Sequence, residues 1–257
     1  MRRPIVAANW KLNGSLAMLA SLLPEIVQHA QQHNQVEIVL APPYPYLQAA
    51  VDHTIVADNI HIAAQNIARQ EQGAFTGEVA AAMVRDAGCE YVIIGHSERR
   101  QYFAEDNGMV AEKVTRALDA GLKPILCVGE SLQERQHNNV SRVITEQIRA
   151  VIDAVGIDRM QACTFAYEPV WAIGTGQTAT PQQAQEVHAI IRAQLRDYAD
   201  LLAANCRIIY GGSVKPDSAT ELFLQADIDG GLIGGAALDA QQFNQIISSV
   251  PNLETTQ

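Results

Sequence analysis

The amino-acid sequence predicts an α/β fold in which eight parallel strands close into a (β/α)8 barrel surrounded by helices. Three observations predict it: eight short apolar runs rich in Val and Ile, helical periodicity between those runs, and a length of 257 residues, which suits one barrel. No linker or low-complexity stretch divides the chain, so we expect a single domain over residues 1–257. The same alternation also permits a doubly wound open sheet, which is the alternative.

The eight predicted strands are short and lack a regular polar alternation. Such runs are typical of parallel strands that are buried on both faces. The low share of charged residues, 18%, agrees with that burial. In chain order the predicted strands are residues 5–9, 37–41, 61–65, 91–95, 124–129, 163–167, 207–210 and 231–234.

The segments between the strands carry signals of helix N-termini. Thr180 is an N-cap residue, Pro181 suits the first helical position and Gln183 completes a capping box. After the first strand, Ser15 is predicted to cap a helix with an apolar stripe. Pro24 lies inside that helix and is expected to kink or break it, because proline has no N–H to donate.

Composition argues against several classes of partner. The net charge is -10 and no basic run occurs, so nucleic acid is not an expected partner. No apolar run approaches the ~18 residues of a membrane-spanning helix, and the first apolar stretch is too short for a signal peptide. The cysteines at positions 89, 127, 163 and 206 have no metal or redox spacing, so we expect reduced, inert thiols in the cytoplasm.

Polar residues and glycines follow the ends of most predicted strands. The carboxyl ends of parallel strands meet at one face of a barrel, and barrel enzymes place their active sites at that face. Residues far apart in sequence are therefore predicted to converge there. The groups concerned are residues 9–11, 65–66, 96–98, 130, 168, 211–213 and 234–235.

Two pairs of glycines follow the last two predicted strands, where many barrels bind a phosphate. Gly211 and Gly212 precede Ser213, and Gly234 precedes Gly235. Glycine lets backbone N–H groups come close to an anion, and a helix beginning after Gly235 would add its dipole. The alternative is that the glycines only form tight turns, but two pairs on adjacent strands favour a phosphate site.

Five motifs along nearly the whole chain resemble those of the triosephosphate isomerase family. They are NWK at residues 9–11, IIGHSERR at 93–100, AYEPVWAIGTG at 166–176, YGGSVKP at 210–216 and LIGGAAL at 232–238. The third motif is long enough to be highly specific. Gln177 departs from the family pattern, because many relatives carry lysine there, and this difference could alter closure of the loop.

The resemblance implies an isomerase without metal or organic cofactor that interconverts D-glyceraldehyde 3-phosphate and dihydroxyacetone phosphate, in glycolysis and gluconeogenesis. Glu168 is then the base that moves a proton between adjacent carbons, and a neutral His96 is the electrophile for the enediolate oxygens. Lys11 supplies a cation, with Asn9 as a hydrogen-bond donor beside it. Glu98 is expected to hold Lys11 in place, although helix capping is nearly as well supported.

The residues around the implied catalytic groups have supporting roles. Ser97 and Glu98 are expected to begin a helix whose positive end keeps His96 uncharged. The segment from Pro169 to Ala179 is predicted to be a lid with an apolar tip at residues 170–173 and glycines near its end. Closure would bring the N–H of Gly174 to the phosphate. The other expected substrate contacts are Ser213, Gly234 and Gly235.

A second loop is predicted to hold two chains together. The segment from Gln65 to Glu78 is polar, and Phe75 and Thr76 lie between two glycines that suit a projecting turn. The residues alone leave open whether Phe75 folds back on its own barrel. The resemblance implies that this loop contacts the partner subunit of a homodimer, beside the partner's Asn–Lys pair.

Two other functions are compatible with the residues taken alone. One is a different phosphate-binding barrel enzyme, such as a lyase or an epimerase. A Schiff-base lyase needs a lysine inside the barrel, and Lys11 is the only basic residue that ends a strand run. The other is a catalytically inactive barrel that binds a phosphosugar or a protein.

Overall fold

The computed structural model describes residues 2–174 and 178–251, and these form a closed barrel of eight parallel strands. The strands follow one another around the barrel in sequence order, and β1 pairs with β8. This closure confirms the predicted (β/α)8 barrel and excludes the open sheet. The strands are β1 (Ile5–Asn9), β2 (Glu37–Ala41), β3 (Ile60–Ala64), β4 (Tyr91–Ile94), β5 (Lys123–Val128), β6 (Thr164–Tyr167), β7 (Ile208–Tyr210) and β8 (Gly230–Ile233).

Helices connect the strands, and several connections contain two of them. The helices are α1 (Leu16–Ala30), α2 (Leu47–Thr54), α3 (Ala81–Asp86), α4 (Ser97–Tyr102), α5 (Asn107–Asp119), α6 (Leu132–Gln136), α7 (Val140–Val155), α8 (Pro181–Tyr198), α9 (Asp200–Asn205), α10 (Pro216–Phe223) and α11 (Ala240–Ser248). Within the described residues, 3-10 helices lie at Tyr44–Tyr46, Ile157–Ala162, Val170–Ala172 and Gly235–Leu238. None of the described helices is long and apolar enough to span a membrane.

The strands are buried on both faces, as their composition predicts. One set of side chains fills the barrel interior, including Ile5 and Ala7, while the intervening Val6 and Ala8 pack outward under the helices. All four cysteines are buried and free, which agrees with the predicted inert thiols. The seam between the first and last strands requires Gly230, because a Cβ there would overlap the carbonyl oxygen of Ile5.

The predicted N-caps are confirmed, and α1 is not broken at Pro24. The side chain of Thr180 accepts from the N–H of Gln183, and Ser15 caps α1. α1 continues through Pro24, which is exposed. Buried residues on both sides of Pro24 hold the helix against the barrel, and the carbonyl that loses its partner belongs to Ala20, which is exposed to water.

Candidate active site

A pocket of about 670 Å³ opens at the carboxyl ends of the strands. It draws residues from β1, from the connections after β4, β6 and β7, and from β8 with the turn that follows it. The predicted site residues among its lining are Asn9, Lys11, His96, Gly174, Ser213, Gly234 and Gly235. Lys215, which the sequence did not single out, also lines this pocket. Glu168 does not line it.

Lys11 is held at both its backbone and its ammonium group. Its backbone has a positive φ of 53°, which is uncommon for a residue with a side chain. The N–H of Lys11 donates to Asn9 Oδ1 at 3.0 Å, and the side chain of Gln65 donates to the Lys11 carbonyl at 2.9 Å. Lys11 Nζ lies 2.6 Å from Glu98 Oε1. Glu98, which was expected to hold Lys11 in place, therefore contacts its ammonium group directly.

Glu168 follows β6 directly, and its carboxylate points at the start of α4. Its Oε2 accepts from the N–H of Ser97 at 2.8 Å, and its Oε1 accepts from the Ser97 hydroxyl at 3.3 Å. His96 Nε2 lies 2.9 Å from the same Oε1. Burial raises the pKa of Glu168, but His96 and the Ser97 N–H more than offset this, so the pKa lies below its usual value. Glu168 is therefore a charged carboxylate that is turned away from the pocket.

The two ring nitrogens of His96 have different partners. His96 is the N-cap of α4, and its Nδ1 accepts from the N–H of Glu98 at 3.2 Å. The proton of a neutral ring then lies on Nε2, which donates to Glu168. Burial lowers the pKa of His96, and the carboxylates of Glu168 and Glu98 raise it to a net value above normal. The carboxylates thus favour a charged ring, whereas the N–H aimed at Nδ1 favours a neutral one.

The glycines after β7 and β8 have two different surroundings. A Cβ at Gly211 would come within 2.9 Å of Glu168 Cγ, so this glycine makes room for the carboxylate side chain as well as lining the pocket. No atom lies within 4 Å of a Cβ built on Gly235, at the start of the 3-10 helix after β8. The turn at Gly234 and Gly235 therefore leaves open space for a ligand.

The first part of the predicted lid is fastened to a buried glutamate. The indole N–H of Trp171 donates to Glu130 Oε1 at 2.8 Å, and the hydroxyl of Tyr167 donates to the same oxygen at 3.1 Å. Arg135 lies 3.0 Å from that oxygen and also covers the Trp171 ring. These contacts leave Trp171 half-buried.

The sequence placed Glu130 at a strand end but did not show what it would bind. Its buried position and its three partners become visible only when β5, β6 and α6 are brought together. Gly176 and Gln177 of the predicted lid lie outside the described residues. Within the described ranges, no group of three His, Cys, Asp or Glu side chains could hold a metal ion.

The loop from Gln65 to Glu78 presents its predicted tip to solvent. Phe75 is 47% exposed and Thr76 is exposed, and the flanking Gly73 and Gly77 have φ values of 125° and 93°. Other large apolar side chains are exposed on the connections after β1, β3 and β4. They are Leu12, Leu16, Met83, Tyr102 and Phe103.

Comparison with known proteins gives one consistent result. A family model described as "Triosephosphate isomerase" matches residues 4–250. The triosephosphate isomerase of Alcanivorax borkumensis is 50% identical over 242 residues, which cover 94% of this chain and 96% of the relative. The enzymes of the same name from Nitrosomonas eutropha and Halorhodospira halophila are 50% and 49% identical, over 95% and 97% of this chain and 97% and 98% of the relatives.

Proposed function

Since the chain belongs to the triosephosphate isomerase family, it is an intramolecular isomerase of glycolysis, and we propose that the groups around Lys11, His96 and Glu168 carry out its reaction. The reaction interconverts D-glyceraldehyde 3-phosphate and dihydroxyacetone phosphate through an enediolate. The observation that carries the assignment of roles is the 2.9 Å contact between Glu168 and His96 beside a pocket that Lys11 lines.

Glu168 is the base that shuttles the proton between the two carbons. Its carboxylate is bound by three donors, one from His96 and two from Ser97. To reach a substrate carbon it must leave these donors and turn into the pocket, where Ile173 and Leu232 are apolar neighbours. Loss of these donors raises the proton affinity of the carboxylate. The movement therefore makes Glu168 a stronger base where it is needed.

His96, Lys11 and Asn9 stabilise the oxygens that carry charge in the enediolate. Departure of Glu168 frees the Nε2–H of His96 to donate to a substrate oxygen. The ammonium of Lys11 supplies positive charge, and Glu98 positions it. The side-chain oxygen of Asn9, Oδ1, already accepts from the Lys11 N–H. The side-chain NH₂ of Asn9 is therefore the group that can donate to the substrate.

The phosphate binds on the side of the pocket formed by the ends of β7 and β8. Ser213, Gly234 and Gly235 offer donors there, and the lid adds the N–H of Gly174 on closing. Closure also excludes water from the enediolate. No metal or organic cofactor takes part in these steps.

We further propose that two chains associate in the cytoplasm through the loop from Gln65 to Glu78. Support comes from the exposed Phe75 at the tip and from the exposed apolar side chains Leu12, Tyr102 and Phe103 on neighbouring connections. Such side chains mark surfaces that are covered in an assembly. Each loop then braces the partner's Lys11 region, while the catalytic groups of each site come from one chain.

A coupled assay tests the proposal directly. Purified protein is given D-glyceraldehyde 3-phosphate, and the dihydroxyacetone phosphate that forms is reduced by a coupling dehydrogenase with NADH. We expect rapid turnover that a chelator does not diminish, and loss of turnover in Glu168→Gln. Absence of turnover in folded wild-type protein would instead support the inactive phosphosugar-binding barrel.

A further inference from the structure

Two histidines at the end of α1 point their ring nitrogens at one atom. His29 lies in the last turn of α1 and His33 in the turn that follows, and their rings stack with centroids 4.1 Å apart. His29 Nε2 lies 2.9 Å from the hydroxyl oxygen of Ser248 on α11. His33 Nε2 lies 3.3 Å from the same oxygen. The two nitrogens therefore converge on a common position at the surface.

The other ring nitrogen of His33 determines which nitrogen is free to bind. His33 Nδ1 lies 3.0 Å from the backbone carbonyl oxygen of His29. Because a carbonyl oxygen only accepts, Nδ1 carries the proton, and the lone pair of the neutral ring is on Nε2, facing Ser248. A histidine that donates one N–H to a carbonyl and presents its other nitrogen has the arrangement of a metal ligand.

We propose that His29 and His33 form a binding site for a divalent first-row transition ion, with the two Nε2 atoms as ligands. Imidazole nitrogens suit Zn²⁺, Ni²⁺ and Cu²⁺, whereas Mg²⁺ and Ca²⁺ prefer oxygen ligands. His29 in the last turn of α1 and His33 just beyond its end lie four residues apart, and the stacking of their rings places both on the same side. The net charge of -10 also favours approach of a cation.

The shell of such an ion is completed by the Ser248 hydroxyl and water. Among the residues that the structure describes, no third His, Cys, Asp or Glu joins the pair. The bound ion is therefore exchangeable and binds more weakly than in a three-ligand site. It would also join α1 to α11, the helices beside the closing seam of the barrel.

The site is remote from the catalytic pocket. α1 runs from the carboxyl end of β1 back towards the beginning of β2, so its C-terminal end lies at the opposite end of the barrel. Isomerase activity should therefore be independent of His29 and His33. Normal isomerase activity can therefore show that variants of His29 and His33 are correctly folded.

The test uses Zn²⁺ in calorimetry and thermal unfolding, and Cu²⁺ in electron paramagnetic resonance. Wild-type protein should bind one Zn²⁺ that raises Tm until a chelator removes it, since a ligand of the native state stabilises it. The Cu²⁺ spectrum should show coupling to two nitrogens. His33→Gln should weaken Zn²⁺ binding by about tenfold or more, and the double variant His29→Gln/His33→Gln should abolish the Tm rise at normal isomerase activity.

His53→Gln is the matched control. His53 also bonds its Nδ1 to a carbonyl, that of Ala49, but among the described residues its ring stacks on no second histidine, unlike the rings of His29 and His33. Its replacement should leave Zn²⁺ affinity and the Cu²⁺ spectrum unchanged. Equal Zn²⁺ binding by wild type and the double variant, or no chelator-reversible binding by wild type, would overturn the proposal.

Discussion

The carboxylate of Glu168 must give up three hydrogen-bond donors before it can reach a substrate carbon. These donors lower its pKa and hold it beside Ser97. A carboxylate with a low pKa is a weak base, so a protein that kept Glu168 there would isomerise slowly. The length of the side chain decides whether the carboxylate can span both positions.

We expect Glu168→Asp to lower kcat by on the order of 100-fold while KM changes much less. The aspartate keeps the charge but withdraws the carboxylate by about 1 Å, and a misplacement of that size costs about this factor. Steady-state kinetics in the coupled assay measure it. Glu221→Asp, at an exposed position on α10, is the control and should match wild type. A Glu168→Asp enzyme within twofold of wild-type kcat/KM would refute the assignment of the base, provided that product release does not limit wild type.

His96 is expected to stay neutral across the active pH range. A second proton on its Nδ1 would face the N–H of Glu98 at the start of α4, which opposes the pull of Glu168 on the pKa. NMR of the ring nitrogens should show a proton on Nε2 alone at pH 7. Glu168→Gln removes the carboxylate that raises the pKa of His96, so the pKa should fall in that variant. A doubly protonated ring in wild type at pH 7 would be the contrary result.

The identities of the site residues are predictable from sequence, but their orientations are not. Asn9, Lys11 and His96 follow buried strands, and the common direction of those strands determines that they meet. The direction of the Glu168 side chain depends on donors that α4 supplies. The same holds for Glu130, because nothing in its neighbours along the chain indicates that Trp171 binds it.

At the scale of secondary structure, strands are the easier elements to predict. Burial on both faces gives β1 to β8 continuous apolar runs, and each predicted end lies within one residue of the observed end. The effect of Pro24 on α1 is harder to predict than the strands, because it depends on contacts outside the helix. Local chemistry disfavours Pro24, but packing of α1 on the barrel and an exposed carbonyl at Ala20 make it tolerable.

We expect that the lid can be shortened without unfolding the barrel. Deleting Ile173 through Gly176 should leave the fold intact, because Trp171 and Glu130 stay joined outside the deletion. The enediolate phosphate would then meet water and eliminate phosphate. The measurement is methylglyoxal and inorganic phosphate formed per turnover, with wild type as reference. If the shortened enzyme isomerises without increased elimination, this segment is not a protective lid.

For the whole molecule, assembly and activity are expected to depend on each other. Thr76→Arg should bury an unpaired charge at the contact between subunits, at a cost of several kcal/mol. The variant should sediment as a monomer and lose most of its kcat, because the partner's loop no longer braces Lys11. Thr220→Arg makes the same change at an exposed position on α10 and should remain dimeric and active. A fully active monomeric Thr76→Arg protein would separate assembly from catalysis.

Acid should weaken the end of the barrel opposite the pocket. Glu37 is buried there, where it contacts Arg207 and accepts from the hydroxyl of Tyr91. Burial raises the pKa of Glu37, but these partners lower it overall. A lowered carboxylate pKa stabilises the fold above the unfolded pKa of ~4.3, and this contribution is lost as pH falls towards the folded value.

Glu37→Gln tests this contribution. Because the variant lacks the charge, it should unfold at lower denaturant concentration than wild type at pH 7, by a few kcal/mol in free energy. The difference in unfolding free energy between wild type and Glu37→Gln should become smaller as pH falls below about 4. Denaturant unfolding at fixed protein concentration gives both values. If this difference in unfolding free energy does not change with pH, the charge of Glu37 is not what stabilises the fold.

The pairing of β1 with β8 has a consequence for how the chain is made. About 220 residues separate the end of β1 from Gly230, where β8 begins. At a synthesis rate of ~5–20 residues per second, β1 waits on the order of 10–40 s for its second neighbour to leave the ribosome. During that time one edge of the growing sheet exposes unpaired backbone and apolar side chains. The nascent chain is therefore most open to aggregation and to chaperones in the interval before its last strand emerges.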